Sequence, residues 1–409
     1  QHLMTTWAVA IGSNFSALWI LIANGWMQNP VGAAFNPETM RMEIVSFYEV
    51  LFNEVAQAKF VHTVSAGYVT AAIFVLGVSA LYLLQGRHVA LAKRSMAVAA
   101  SFGLASALSV VVLGDESGYA ATQHQRMKLA AMEGMWKAEP APAGFTVIGF
   151  PDQEARETHY AIHVPYVLGL IATRSLTREV PGIEELVVES ERRVRSGILA
   201  YTALTEIRRN PPGETHPALA AQFEENGRNL GYAYLLKRYV DNPADATPEQ
   251  IQQAAWDTVP HVFPLFWAFR IMVGLGFFFI AFFGLWFYRA SRGWIDTNKP
   301  LLWFTVFLLP TPWIAIESGW FIAEFGRQPW VVEGVLPTFY AASGLQVMDL
   351  VLSLTFFVLL YTVLLVIMVM LMVRIVKAGP KEKLFTNDDE DDFVITTLPA
   401  TPATKELGS

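Results

Sequence analysis

His62 in one apolar stretch and Met272 in another are the side chains here whose chemistry is most telling. Imidazole and thioether together make an axial pair for haem iron, and six-coordinate His/Met iron cannot bind oxygen but passes electrons at a raised potential. Taken alone, Met272 reads as core filler and His62 as a packing histidine. Their similar depth, about one to three helical turns below one membrane surface, favours the sharper reading, because sharing one iron requires it. The other histidines suit iron less: His2 stands at the chain start, His88 in a short connection, His124, His159, His163 and His216 in a polar segment, and His261 at an interface. Arg270, two residues before Met272, would suit haem propionates through charge-assisted bonds.

A second constellation lies in another apolar stretch. Glu317 and Glu324 are seven residues apart, hence nearly on one helix face, with Trp313 and Trp320 making a second such pair beside them. An ionisable group in mid-span costs about 2.5 to 3.5 kcal/mol on insertion scales, so each asks for a reason. A Glu bonded to a neighbouring helix or lying at the interface is one reading. A proton relay and an oxygen ligand to iron are the others.

The elements that position these residues are membrane helices. Hydrophobic residues make up 53% of 409 and charged ones 16%, too apolar a balance for an ordinary soluble domain. Six stretches can cross about 30 Å of hydrocarbon: 4–26, 60–84, 95–113, 262–287, 301–325 and 347–374. Arg87, Lys93 and Arg94 follow the second, Arg289, Arg292 and Lys299 the fourth, and Arg374, Lys377, Lys381 and Lys383 the sixth, which makes those segments cytoplasmic by the positive-inside rule. The connection 27–59, the long segment 114–261 and the loop 326–346 then lie outside. Ala99, Gly103 and Ala107 give the third span a small-residue stripe suited to close packing.

The expected fold is therefore all-α, a polytopic transmembrane helix bundle with an extracytoplasmic lobe. Its divisions are spans within 1–113, a loop lobe over 114–261, further spans over 262–376, and a disordered cytoplasmic tail over 377–409 with its NDDEDD run. The lobe is expected to carry a helix through IEELVVESERRVRSGILAYTALTEIRR and another opening at Thr247-Pro248-Glu249-Gln250, a cap residue followed by proline and, three after the cap, Gln. The start at Gln1, within three residues of an apolar span and without a signal peptide's charged region, reads as that of an N-terminally truncated chain. A net charge of −7 and the lack of a basic stripe argue against a nucleic-acid partner. Without cysteine, disulfides, zinc thiolates and thiolate-held iron–sulfur clusters are excluded. There is no phosphate-binding glycine loop, dinucleotide fingerprint or metalloprotease His pair.

Longer motifs point to a family. GSNFSALWILIANGWMQNP, FNPETMRMEIVSFYEV, AKFVHTVSAGYVT, VLGDESGY, LLKRY, FRIMV, WIAIESGWFIAEFGRQPW and VLPT resemble subunit I of the cytochrome bd quinol oxidases almost end to end, in its long-loop branch. The resemblance implies a terminal oxidase in the bacterial inner membrane that oxidises quinol at the outer face. It would reduce O2 to water using a low-spin haem b, a high-spin haem b and haem d, without pumping. It implies a subunit II, small accessory subunits and membrane lipid as partners. By the same resemblance His62 and Met272 ligate the low-spin haem b with Arg270 as its neighbour, and Glu324 is associated with the high-spin haem b, with Trp320 and Arg327 beside that haem pair. KLAAMEGMW matches the quinol-binding segment, giving Lys128 and Glu133 the roles of quinol contacts. Read from the residues alone, those two are a solvated charge pair.

One departure accompanies the resemblance. The family's subunit I has nine spans, and the six here leave no residue for the His ligand of haem d or for the carboxylates of its proton path. Two rivals belong to other classes. In a proton-coupled secondary transporter Glu317 and Glu324 would be the coupling site, a reading that internal repeats would support and that finds none. The other is a non-catalytic haem-binding membrane anchor.

Overall fold

The computed structural model describes residues 2–209, 216–296 and 298–380. Among them are six helices long and apolar enough to cross a membrane. The chain divides into a unit of residues 1–343 and a second of 344–409.

In the first unit α1 spans His2–Gln28, and a hairpin of β1 (Ala33–Asn36) and β2 (Arg41–Ile44) leads through the short α2 (Phe47–Leu51) to α3 (Glu54–Gln85). Asn53 caps α3 by accepting from Val55 N at 3.0 Å, and Gly86 closes it in the left-handed region. The next helix, α4 (Val89–His124), outruns the expected third span by three turns at its far end. Asp115 and Glu116 end the apolar run but not the helix, since charge sets the lipid boundary and helix formers continue beyond it.

The small-residue stripe on α4 is buried as expected. A Cβ on Gly103 would lie 2.2 Å from the Phe283 ring, so glycine admits that ring of α10 (Val262–Ser291). Ile73, Leu76, Met96, Phe283 and Trp286 fill the space between α3, α4 and α10. Lys93 pairs with Asp296 at 2.8 Å, joining the start of α4 to the connection that follows α10 at one end of the unit.

The lobe opens with α5 (Arg126–Glu133) and a hairpin of β3 (Phe145–Asp152) and β4 (Glu157–Val164). It continues through α6 (Ile183–Arg209), α7 (Pro217–Asn226), α8 (Leu230–Leu235) and α9 (Pro248–Trp256). The helix expected over 183–209 is α6, with Glu184 and Glu185 in its first turn and Arg208 and Arg209 in its last, matching the macrodipole. At α9 the expected cap is complete: Thr247 Oγ1 accepts from Gln250 N and Gln250 Oε1 from Thr247 N. The β3–β4 hairpin is an addition to the all-helical expectation.

The fifth span is broken. It forms α11 (Lys299–Phe307) and α12 (Thr311–Phe325), separated by a turn at Leu308–Pro310. Pro310 and Pro312 supply no N–H to the preceding turn, and Leu309 inserts where a Cβ on Gly77 of α3 would come within 2.5 Å of it. After α12 come β5 (Trp330–Val332) and β6 (Leu336–Pro337). The second unit is α13 (Val347–Ala378), opened by a reciprocal cap of Gln346 and Asp349. The expected tail from 381 onward lies outside the described residues.

Candidate functional site

A cavity of about 400 Å³ between α1, α3, α4, α10 and α12 is lined by both His62 and Met272, inside the usual size range of about 300–1,000 Å³ for a ligand site. Its walls are thinned opposite both residues. A Cβ on Gly114 would stand 3.2 Å from His62 Cε1, and one on Gly319 would stand 3.1 Å from Met272 Sδ. Gly67 and Gly276, also on the lining, face open space. Among the described residues, His62 Nδ1 is buried without a hydrogen-bond partner, as are Nε and Nη1 of Arg327. Buried donors and acceptors are rarely left so, and the set calls for a group the chain does not supply. A planar ligand with a metal centre fits this cavity, imidazole and thioether serving the metal, while the unpartnered N–H groups of Arg327 lie off its lining. A haem meets that description.

Lys128 opens onto the same cavity. Rather than a solvated charge it is 5% exposed, and Glu133 is 2% exposed. The two do not pair, because five residues on an eight-residue helix send them to different sides. Lys128 Nζ donates to Gln28 Oε1 at 3.0 Å, Gln125 Oε1 at 2.8 Å and the Ala323 carbonyl at 3.2 Å, which engages all three of its hydrogens. Burial pushes its pKa down from the usual lysine range. Glu133 Oε2 accepts from Arg270 at 3.1 Å, and burial lifts its carboxyl to about 7 against the pull of that guanidinium.

Arg270, expected beside the low-spin haem, directs its donors into the protein. It bonds the carbonyls of Met132 (2.6 Å), Phe266 (3.0 Å) and Thr146 as well as Glu133, while its guanidinium lies over the Phe266 ring. It thereby ties α10 to α5 and β3. Arg270→Ala leaves a buried carboxylate without its partner and is expected to destabilise the fold by about 3–5 kcal/mol. A thermal unfolding midpoint equal to that of the parent would contradict this.

Glu317, Trp320 and Glu324 line a second, shallower groove together with Trp267 and Ile271, so the acidic face expected on the fifth span exists. Trp320 also lines the His62 and Met272 cavity and so stands between the two spaces. Trp313, the other indole of that face, is half-exposed and lines neither. Glu324 Oε2 accepts from Arg327 at 2.6 Å and Oε1 from Asn24 Nδ2 at 2.7 Å.

Asn24 belongs to a chain of bonds that sequence reasoning missed. Asn24 Oδ1 accepts from Lys59 Nζ at 2.8 Å and from Gln28 Nε2 at 3.0 Å, and Gln28 hands on to Lys128. From there Gln125 continues to Glu333 Oε2 at 3.3 Å. A signal existed: Asn24 and Gln28 sit at helical spacing at the end of an apolar run, and Lys59 heads another.

The family described as Cytochrome bd terminal oxidase subunit I matches residues 1–380. The chain is 46% identical over 380 residues to Cytochrome bd-II ubiquinol oxidase subunit 1 of Escherichia coli (strain K12), spanning 93% of this chain and 73% of that one. It is 28% identical over 401 residues to Cytochrome bd ubiquinol oxidase subunit 1 of Bacillus subtilis (strain 168), spanning 97% and 71%. Its fold is similar to that of the bd oxidase from Geobacillus thermodenitrificans, with a TM-score of 0.67, 22% identity, and coverage of 93% of this chain and 71% of that one.

Proposed function

From the membership of this chain in the cytochrome bd terminal oxidase subunit I family, we propose that it is the haem-bearing subunit of a quinol:oxygen oxidoreductase, acting with a subunit II in the bacterial inner membrane. One observation carries the reading furthest: Lys128, His62 and Met272 line a single cavity, and Trp320 lines both it and the groove of Glu324.

His62 and Met272 would hold the low-spin haem b, and Glu324 the high-spin haem b, with Trp320 and Arg327 alongside. When bound, the haems supply the one-electron chemistry and, with haem d, the reduction of O2. Haem d is assigned no ligand among these residues. The chain's own groups do the rest. Lys128, its hydrogens fixed by three acceptors, would present a donor to a quinol oxygen by exchanging one of them. Glu133, buried against Arg270 and on the lining of neither cavity, would support the site by fixing α5 rather than by taking the quinol proton. Arg270, bonded to Glu133 and the Met132 carbonyl, holds α5 so that Lys128 stays in register with the cavity. The Lys/Arg distribution supports an orientation in which the lobe would lie outside, where protons from quinol would be released, and the ends carrying Lys93 and Arg289 in the cytoplasm. Charge separation follows without a pump.

A reduced-minus-oxidised spectrum of the purified complex tests the whole reading. Bands of both b and d type are expected; b-type bands alone, or no haem, would overturn it. The substrate assignment has its own test. Lys128→Leu removes a charged donor worth about 1.5–3 kcal/mol to a bound oxygen, so the KM for quinol is expected to rise about tenfold or more with haem bands unchanged. Glu133→Gln keeps a partner for Arg270 and is expected to lower turnover instead. Quinol titrations on the two variants that reproduce the parent's kinetics would move the quinol site elsewhere.

A further inference from the structure

We propose that Glu333 is an acceptor for the protons of quinol oxidised at Lys128, and that a polar cavity between α5, α6 and α8 is their way out. The inference rests on the quinol-site reading above and adds to it a residue and a route.

Lys128 and Gln125 each line two cavities. One is the apolar space of His62 and Met272. The other holds about 100 Å³ and is lined by Glu333, Arg193, Tyr232, Ser190 and Thr258 among others. At about 10–15 Å³ for each water, it has room for several, with polar partners on every side. Glu333 is fixed at its inner end: its N–H donates to the Met27 carbonyl at 2.9 Å, and its Oε2 accepts from Gln125.

The charged and titratable groups around it come from every neighbouring element. Lys128 comes from α5, Arg193 and Glu189 from α6, Tyr232 from α8, His124 from the end of α4 and Arg327 from the turn after α12. Glu189 is engaged by Arg193 at 2.5 Å and by Arg126 at 3.4 Å, and these side chains are 34–46% exposed, so the cavity reaches solvent there. Lys128 already carries its full complement of hydrogens and cannot take another. Glu133 lies on the other side of α5 against Arg270 and lines neither cavity. Glu189, at the solvent end, is held by two arginines, which leaves Glu333 as the carboxylate next to Lys128 on the wet side. Burial raises its pKa, with Lys128 opposing, so its carboxyl exchanges a proton more readily near neutrality than an exposed Glu does.

The step balances. Oxidation of the hydroquinone breaks two O–H bonds and releases two electrons, which the haems, each a one-electron acceptor, would take one at a time, and the quinone leaves. The protons pass to the Glu333 carboxylate, one after another, and from it to cavity water. An acceptor must be ionised to act, so turnover is lost as pH falls through its raised pKa.

The test is quinol oxidation by the whole oxidase complex as a function of pH. Glu333→Gln is expected to lower kcat by about a hundredfold, within the usual effect of a general base, and to flatten the acid limb of the profile. KM and haem bands stay as in the parent, and Glu333→Asp keeps much of the rate. If Glu333→Gln retains the parent's kcat and acid limb while Lys128→Leu raises KM, the quinol site stands and Glu333 is not its acceptor. If Lys128→Leu leaves the kinetics untouched, the quinol-site reading falls, and this proposal with it. Should Glu333→Gln fail to assemble, Glu333→Asp decides: a displaced acid limb upholds the proposal and an unmoved one overturns it.

Discussion

His62→Ala and Met272→Ala each abolish the low-spin b-type band and quinol oxidation, while the polypeptide still assembles in the membrane. That result is expected because each substitution removes one axial donor from a site whose opposite walls are glycine. Nothing else on the lining of that type stands ready to replace either: among the described residues around the cavity, His62 is the sole imidazole and Met132 the sole other thioether, on α5 with Lys128. Iron that loses thioether but keeps imidazole changes spin state and potential, so Met272→Ala should leave a shifted b-type spectrum if haem is retained at all. Loss of the low-spin band in both variants supports the pairing. An unchanged low-spin band in both would sink it.

Glu324→Ala has the second largest expected effect. Its carboxylate is bonded by Arg327 and Asn24, and Arg327 is only 5% exposed with two further donors unpaired. Removing the carboxylate leaves that guanidinium buried without its anion as well as removing an oxygen donor from the groove. Haem content of the high-spin pair and oxygen uptake should both fall, the latter at least about a hundredfold, the upper end of what supporting residues of a metal site contribute. Glu324→Asp should keep part of each, since a carboxylate remains one methylene back. Unchanged haem content and uptake in Glu324→Ala would make Glu324 a structural carboxylate of α12.

Much of the helical framework is legible in the sequence, because twenty apolar residues in a row have few alternatives. What escaped is what hydropathy does not measure. It finds the lipid boundary of α4 at Asp115 and stops, although the helix goes on to His124. It reads 301–325 as one span, whereas the prolines of LLPTP break it. The site divides in the same way. His62, Met272 and Lys128 converge as the sequence and the family resemblance imply. The surroundings of Lys128 and Glu133 were illegible, because the groups that make their burial tolerable are remote: Gln28 lies 100 residues from Lys128, and Arg270 lies 137 from Glu133. A charge pair on a short polar helix looks solvated until such partners are known. Glu333 escaped for the same reason, its partner Gln125 being 208 residues away.

The bonded chain from Glu324 through Asn24 and Gln28 to Lys128 has a consequence of its own. Every link between the carboxylate and the ammonium is a carboxamide, a group that neither gains nor loses a proton near neutral pH and keeps its N–H and C=O ends distinct. Such a chain can orient charges along its length yet cannot hand a proton from one end to the other. An enzyme that discharges protons on one face and consumes them from the other loses efficiency with every proton that slips between the two. In this fold the bonded path from Glu324 through Asn24 and Gln28 to Lys128 is an insulator.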